Sequence, residues 1–248
     1  DMGLADNLTY LVMEFIEGHS LEQLLASGPL PVADAVAYTR GIASALEAAW
    51  RQHVVHRDIK PSNVLVTTTG VVKLVDMGLA KSLAPGGQSV EQLTAAGVAV
   101  GTINYMSPEQ LSAAPELDTR TDIYALGATL YELLQGQPPF LGSMHEVIRA
   151  HLMSERPRPA NASGSPQLQD LVTDMMAIDP AQRPQTPTEL IARLDAVMAP
   201  AVIPQEAFAD TIGAAETYLS DLGIDDALLP DHSPVSTTHP LPDIPVGT

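Results

Sequence analysis

The chain has 248 residues, with 30 acidic side chains against 12 basic ones, a formal net charge of −18 and no cysteine. That balance argues against a nucleic-acid footprint, which needs basic patches, and the missing thiols exclude disulfides, thiolate metal sites and thiol redox chemistry. No apolar run approaches the roughly 20 residues of a membrane helix, and no basic region leads into a hydrophobic stretch at the N-terminus, so a soluble chain in a reducing, cytoplasmic setting is expected.

Leu8 to Phe15, LTYLVMEF, is rich in β-branched, aromatic and large apolar residues, which predicts a buried strand ending at the turn-like EGHS. A short helix over SLEQLLASG follows, closed by Gly28 and Pro29. From Pro31 to Trp50 the residues Val32, Val36, Thr39, Ile42, Ala43, Leu46, Ala49 and Trp50 recur at helical spacing, predicting a long core helix. It delivers the chain into VVHRDIKPSNVLV, Val54 to Val66.

The run NVLVTTTGVVKLVD reads as a hairpin turning at Thr67 to Gly70, and the small, polar residues Ala84 to Ala99 read as an irregular loop. Thr121 to Gln135 is apolar on nearly every side, as in a helix buried all round, and helical patterns recur at His145–Met153, Gln167–Met176 and Thr188–Met198. Residues 199–248 carry 8 of the acids and no Lys or Arg, and are Pro-rich. A body over residues 1–198 and a disordered acidic tail or linker over 199–248 are therefore expected.

The loop at 54–66 places Asp58, Lys60 and Asn63 between two apolar runs. Their types suit phosphoryl transfer. Asp58 can orient a hydroxyl and accept its proton, Lys60 can neutralise a transferred phosphoryl group, and Asn63 can offer a carbonyl oxygen to Mg²⁺. A second carboxylate for the metal stands at Asp76, at the end of the hairpin, with Gly78 allowing a sharp backbone change after it.

Five strings carry a resemblance: HRDIKPSN at 56–63, DMG at 76–78, GTINYMSPE at 101–109, DIYALG at 122–127 and Arg183 in DPAQRP. Together, in this order, they resemble the eukaryotic-type protein kinases, bacterial serine/threonine branch, over Leu8 to Leu194. The fold this implies is α+β and kinase-like: a strand and hinge over residues 1–18, remnant of a β-rich lobe, and a mostly helical C-terminal lobe over 19–198.

The resemblance implies an ATP- and Mg²⁺-dependent enzyme acting on Ser or Thr hydroxyls of protein substrates, with autophosphorylation a further expectation. It makes Asp58 the catalytic aspartate, Lys60 the phosphate-neutralising lysine, and Asn63 and Asp76 the metal ligands. The Thr102 hydroxyl would tie Asp58 and Lys60 together. Met13 would guard the back of the adenine pocket, the backbone of Glu14 and Ile16 would pair with the adenine edge, and Leu65 would form its floor. Arg57 would pair with a phosphate on Thr94, ahead of the weaker sites Ser82 and Ser89. Glu109 and Arg183 would form a buried ion pair, and Asp122 would bind the catalytic-loop backbone.

Plainer assignments hold elsewhere. Taken alone, Asp58 would be a loop residue making local backbone bonds. His56 reads as a structural core histidine, and His53 with His56 lacks further zinc ligands. Gly86 and Gly87 are loop glycines, and Met175 and Met176 are core filler. Met77 stands where the family commonly has phenylalanine, and its soft side chain can fill the same apolar slot.

A glycine-rich phosphate lid, a third-strand lysine and its glutamate partner are not recognisable before LTYLVMEF. The chain is therefore expected to be a fragment with little or no transfer activity by itself. The alternative is a non-catalytic, pseudokinase-like binding module.

Overall fold

Residues 2–5, 8–76, 100–162 and 164–198 are described by the computed structural model of the chain. The loop expected at 84–99 and the tail expected beyond 199 lie outside them, as do Met77, Gly78, Ser82, Ser89 and Thr94.

Strand β1 (Met2–Ala5) pairs antiparallel with β2 (Leu8–Leu11), from Met2 opposite Leu11 to Ala5 opposite Leu8. The strand expected over 8–15 thus stops at Leu11, because its four-residue partner ends there; Val12 to Glu17 form no regular element.

The turn expected at EGHS is a strand. Gly18–Ser20 (β3) pairs antiparallel with β4 (Val64–Thr67), which pairs in turn with β5 (Val72–Leu74). Gly18 makes this contact possible, since a Cβ there would fall 2.1 Å from the Val66 carbonyl oxygen. The predicted hairpin supplies β4 and β5.

Ser20 ends β3 and starts α1 (Leu21–Leu25) through a reciprocal cap: Ser20 Oγ accepts from the Gln23 N–H at 3.1 Å, and Gln23 Oε1 accepts from the Ser20 N–H at 2.9 Å. Helix α2 (Val32–Arg51) buries Ala35, Val36, Thr39, Ile42, Ala43 and Leu46. The apolar stripe ends one turn early. Trp50, expected in the core, is 38% exposed on a cleft it shares with Val54, Val55 and Leu117.

Among the described residues from Val100 onward, two helices too short for a periodic signal come first, α3 (Val100–Ile103) and α4 (Pro108–Leu111). Helix α5 (Thr119–Gln135), capped by Asp118, is the centre of the fold and buries residues around its whole circumference. Helices α6 (Met144–Met153), α7 (Pro166–Met175) and α8 (Pro187–Met198) complete the set.

Helix α5 packs on α2 and α7, and α8 closes the group against both of those. The core so formed contains Ile42, Leu46, Ile123, Leu126, Leu130, Leu133, Leu171 and Leu194, all at most 1% exposed. Each such side chain contributes about 1.5–3 kcal/mol on burial. Gly127 lets α5 and α7 approach, since a Cβ there would meet Met175 Cβ at 2.7 Å. Met175 and Met176 are both fully buried.

A second cluster of Ile103, Met106, Leu111, Val147 and Ile148 joins α3, α4 and α6, with Phe140 packed against both clusters. Next to Phe140 lies His151, fully buried, its Nδ1 2.7 Å from the Tyr124 hydroxyl. The Arg156 guanidinium stacks near both Tyr124 and Phe140. No helix among the described residues is long and apolar enough to cross a membrane.

Candidate active site

The loop between α2 and β4 is held by the first turn of α5. Asp122, 1% exposed, accepts the His56 N–H through Oδ2 and the Arg57 N–H through Oδ1, each at 2.7 Å. Burial pushes its carboxyl up to about 7, against the pull of those two N–H groups and of the Arg57 charge.

Arg57 takes a left-handed backbone, φ 67°, uncommon for a residue with a long side chain. The peptide that follows is fixed from two sides. Gln110 Nε2 donates to the Arg57 carbonyl at 3.0 Å, and the Asp58 N–H donates to His56 Nδ1 at 3.4 Å. His56 Nε2 lies 3.2 Å from the Val75 carbonyl oxygen, so the neutral ring carries its proton on Nε2. His56 is 1% exposed and serves as a structural cross-link.

Asp58, Lys60, Asn63 and Thr102 form one connected set. Asn63 Nδ2 donates to Asp58 Oδ2 at 2.9 Å and to the Asp58 carbonyl at 2.8 Å. Lys60 Nζ stands 3.0 Å from Asp58 Oδ2 and donates to Thr102 Oγ1 at 3.1 Å. Thr102 therefore reaches Asp58 through the ammonium group of Lys60. A 3₁₀ turn at Pro61–Asn63 brings Asn63 back beneath Asp58, its N–H bonded to the Lys60 carbonyl at 3.0 Å.

Asp76 is exposed and left-handed, φ 56°. Its neighbour Val75 donates its N–H to the Asn63 carbonyl at 2.9 Å, which anchors the Asp76 backbone alongside Asn63. The Asn63 amide nitrogen is committed to Asp58, so its Oδ1 is the group suited to a cation, with the Asp76 carboxylate as a second hard oxygen donor.

The residues expected to surround adenine are placed separately. Met13 is 58% exposed on the extended segment after β2, and Ile16 is half-buried. Glu14 pairs with Lys73 of β5 at 2.5 Å. Leu65 is half-buried, on the face of β4 opposite Val64 and Val66 and across from Ser20 and Lys73.

Arg57 lines a small cavity with Asp58, Thr102, Tyr105 and Gln110, and its buried Nε has no hydrogen-bond partner among the described residues. Arg183, its side chain fully buried, meets Glu109 with Nη1–Oε1 2.6 Å and Nη2–Oε2 2.8 Å. Arg183 also donates to the carbonyls of Ala177, Ile178 and Arg120, and Glu109 accepts from the Thr121 hydroxyl. Burial alone would raise the Glu109 carboxyl, but the Arg183 hydrogen bonds and charge hold it below the ordinary carboxylate range.

Gln110 was not singled out from the sequence. The pattern Ser107-x-x-Gln110 announces a helix cap, and that cap forms, but nothing local announces that the same side chain reaches the loop 53 residues earlier.

The family described as "Protein kinase domain" matches residues 2–193. The serine/threonine-protein kinase PknD of Mycobacterium tuberculosis is 42% identical over 188 residues, covering 74% of this chain and 27% of that protein. A probable serine/threonine-protein kinase of Clostridium perfringens is 36% identical over 201 residues, 79% of this chain and 28% of that protein. PknB of Mycolicibacterium smegmatis is 35% identical over 191 residues, 75% and 30% respectively. The chain thus spans less than a third of the length of these relatives.

Proposed function

Because this chain belongs to the protein kinase family, in its bacterial serine/threonine branch, we propose that its site transfers the γ-phosphoryl group of ATP to Ser or Thr hydroxyls of protein substrates. What carries the proposal is the connected set Asn63–Asp58–Lys60–Thr102, in which a carboxylate and an ammonium group are each fixed by a second side chain.

Asp58, held by Asn63 and Lys60, orients the attacking hydroxyl and accepts its proton. Lys60, held by Thr102, brings its charge to the transferred group. Asn63 Oδ1 and the Asp76 carboxylate would hold Mg²⁺. Its chemistry there would be to offset negative charge on the phosphates. Adenine would sit on Leu65, against the backbone of Glu14 and Ile16, with Met13 behind it.

The buried Nε of half-buried Arg57, without a hydrogen-bond partner among the described residues, supports a role in receiving a phosphate, with Thr94 the residue that would carry it after autophosphorylation. Residues 1–248 show no recognisable glycine-rich lid or lysine–glutamate pair for the α and β phosphates, so slight transfer is expected from these residues alone.

The test is transfer of labelled γ-phosphate to a Ser/Thr protein with Mg²⁺. It compares residues 1–248, the same residues with an upstream extension supplying those parts, and that extended form carrying Asp58→Asn. Transfer by the extended form, nearly abolished by Asp58→Asn with ATP binding kept, supports the proposal. Silence of the extended wild type would make the chain a binding module, and brisk transfer by residues 1–248 alone would show that those parts are not needed for transfer.

A further inference from the structure

We infer that Gln110 is a positioning residue for Asp58: it straps the end of the Thr102 segment to the catalytic-loop backbone. The inference rests on the kinase proposal above for its activity readout, and on geometry alone for the rest.

Three observations carry it. First, Gln110 uses both ends of its amide. Oε1 accepts from the Ser107 N–H at 3.0 Å, completing the cap of α4, while Nε2 donates to the Arg57 carbonyl at 3.0 Å. Second, Arg57 is left-handed, and a long side chain in that conformation persists only where the surroundings over-determine it. Third, the surroundings divide cleanly. Asp122 holds the two N–H groups of His56 and Arg57, His56 Nδ1 holds the Asp58 N–H, and the Arg57 carbonyl is held by Gln110.

That carbonyl belongs to the peptide from which the Asp58 Cα departs. Rotation of this peptide would swing the Asp58 carboxylate away from Lys60 and Asn63. Gln110 thus links the placement of the 100–107 segment, which carries Thr102, to the aim of Asp58, with no contact to any reacting atom.

Two variants separate this role from simple capping. Gln110→Glu keeps an oxygen for the Ser107 N–H and, ionised, removes the donor to Arg57; Gln110→Met removes both. Both variants are expected to speed amide hydrogen exchange at Arg57 and Asp58 about fivefold, the worth of one ordinary hydrogen bond, with Tm lowered further in Gln110→Met, which also loses the cap. In the extended chain, kcat is expected to fall about fivefold for both, with KM for ATP within about twofold of wild type.

Unchanged exchange at Arg57 and Asp58 in Gln110→Glu overturns the inference whatever the activity, since a kcat loss without backbone loosening would be the work of the added charge. A kcat loss confined to Gln110→Met would also overturn it, leaving only a cap. If the wild type transfers no phosphate, the kinase proposal fails while the exchange result still decides the strap.

Discussion

Arg183 meets Glu109 through two parallel hydrogen bonds of 2.6 and 2.8 Å, joining residues 74 positions apart in the sequence. The guanidinium is fully buried and gives its other donors to three backbone carbonyls, so it cannot retreat to water. Removing one half leaves an unpaired charge in the interior, whereas removing both leaves a gap. Arg183→Met and Glu109→Gln are each expected to cost about 3–5 kcal/mol in urea denaturation, and the double variant less than the sum.

Thr102 acts on Asp58 by way of Lys60, so its hydroxyl matters and its methyl does not. Thr102→Val deletes one hydrogen bond to a charged group, worth about 1.5–3 kcal/mol, and is expected to lower kcat about 10- to 100-fold in the extended chain. Thr102→Ser keeps the bond to Lys60 and should stay near wild type. Equal losses in the two variants would show that the hydroxyl alone does not account for the role of Thr102.

His151 and Asp122 should pull the pH dependence of stability in opposite directions. Burial, then the Arg156 charge, lowers His151 to about 3, so below pH 6.5 the unfolded chain takes a proton that the folded chain refuses. Its contribution is complete above pH 6.5 and lost as pH falls toward 3. Asp122, raised to about 7, binds its proton more tightly when folded, so its contribution is complete below pH 3.8 and lost as pH rises toward 7. The two offset each other between about pH 4 and 6.5 in the wild type. In His151→Leu stability should therefore fall with rising pH across that range, and in Asp122→Asn it should rise. Urea titrations at pH 5 and pH 6.5 distinguish them, with slopes of about 1.4 kcal/mol per pH unit at most.

Gly127 is the narrow point between α5 and α7. Gly127→Ala would press a methyl group onto Met175 Cβ, and the cost is expected to be about 1–3 kcal/mol, read as a lowered Tm. An unchanged Tm would mean that α7 gives way freely.

The site was legible in the sequence where its members lie close together in the chain. Asp58, Lys60 and Asn63 fall within six positions, and one 3₁₀ turn is enough to gather them. Long helices were legible for a similar reason, because α2 and α5 run for enough turns to display an apolar face. Strand β3 was not, since Gly, His and Ser show no alternation and the fit depends on the Val66 backbone. Helices α3 and α4 have four residues each, too few for a period. Trp50 misled because helical spacing says which face a residue occupies and not how far the neighbouring helix extends beneath it.

Arg57 and Asp76 share a backbone sign, φ 67° and φ 56°, that a residue with a side chain adopts at a cost of roughly 1–2 kcal/mol. A chain tuned for durability alone would have glycine at both places and would melt later. Keeping side chains there spends thermal margin to have a guanidinium and a carboxylate where glycine has nothing to offer, so laboratory selection for heat resistance should strip function from this protein first at these two positions.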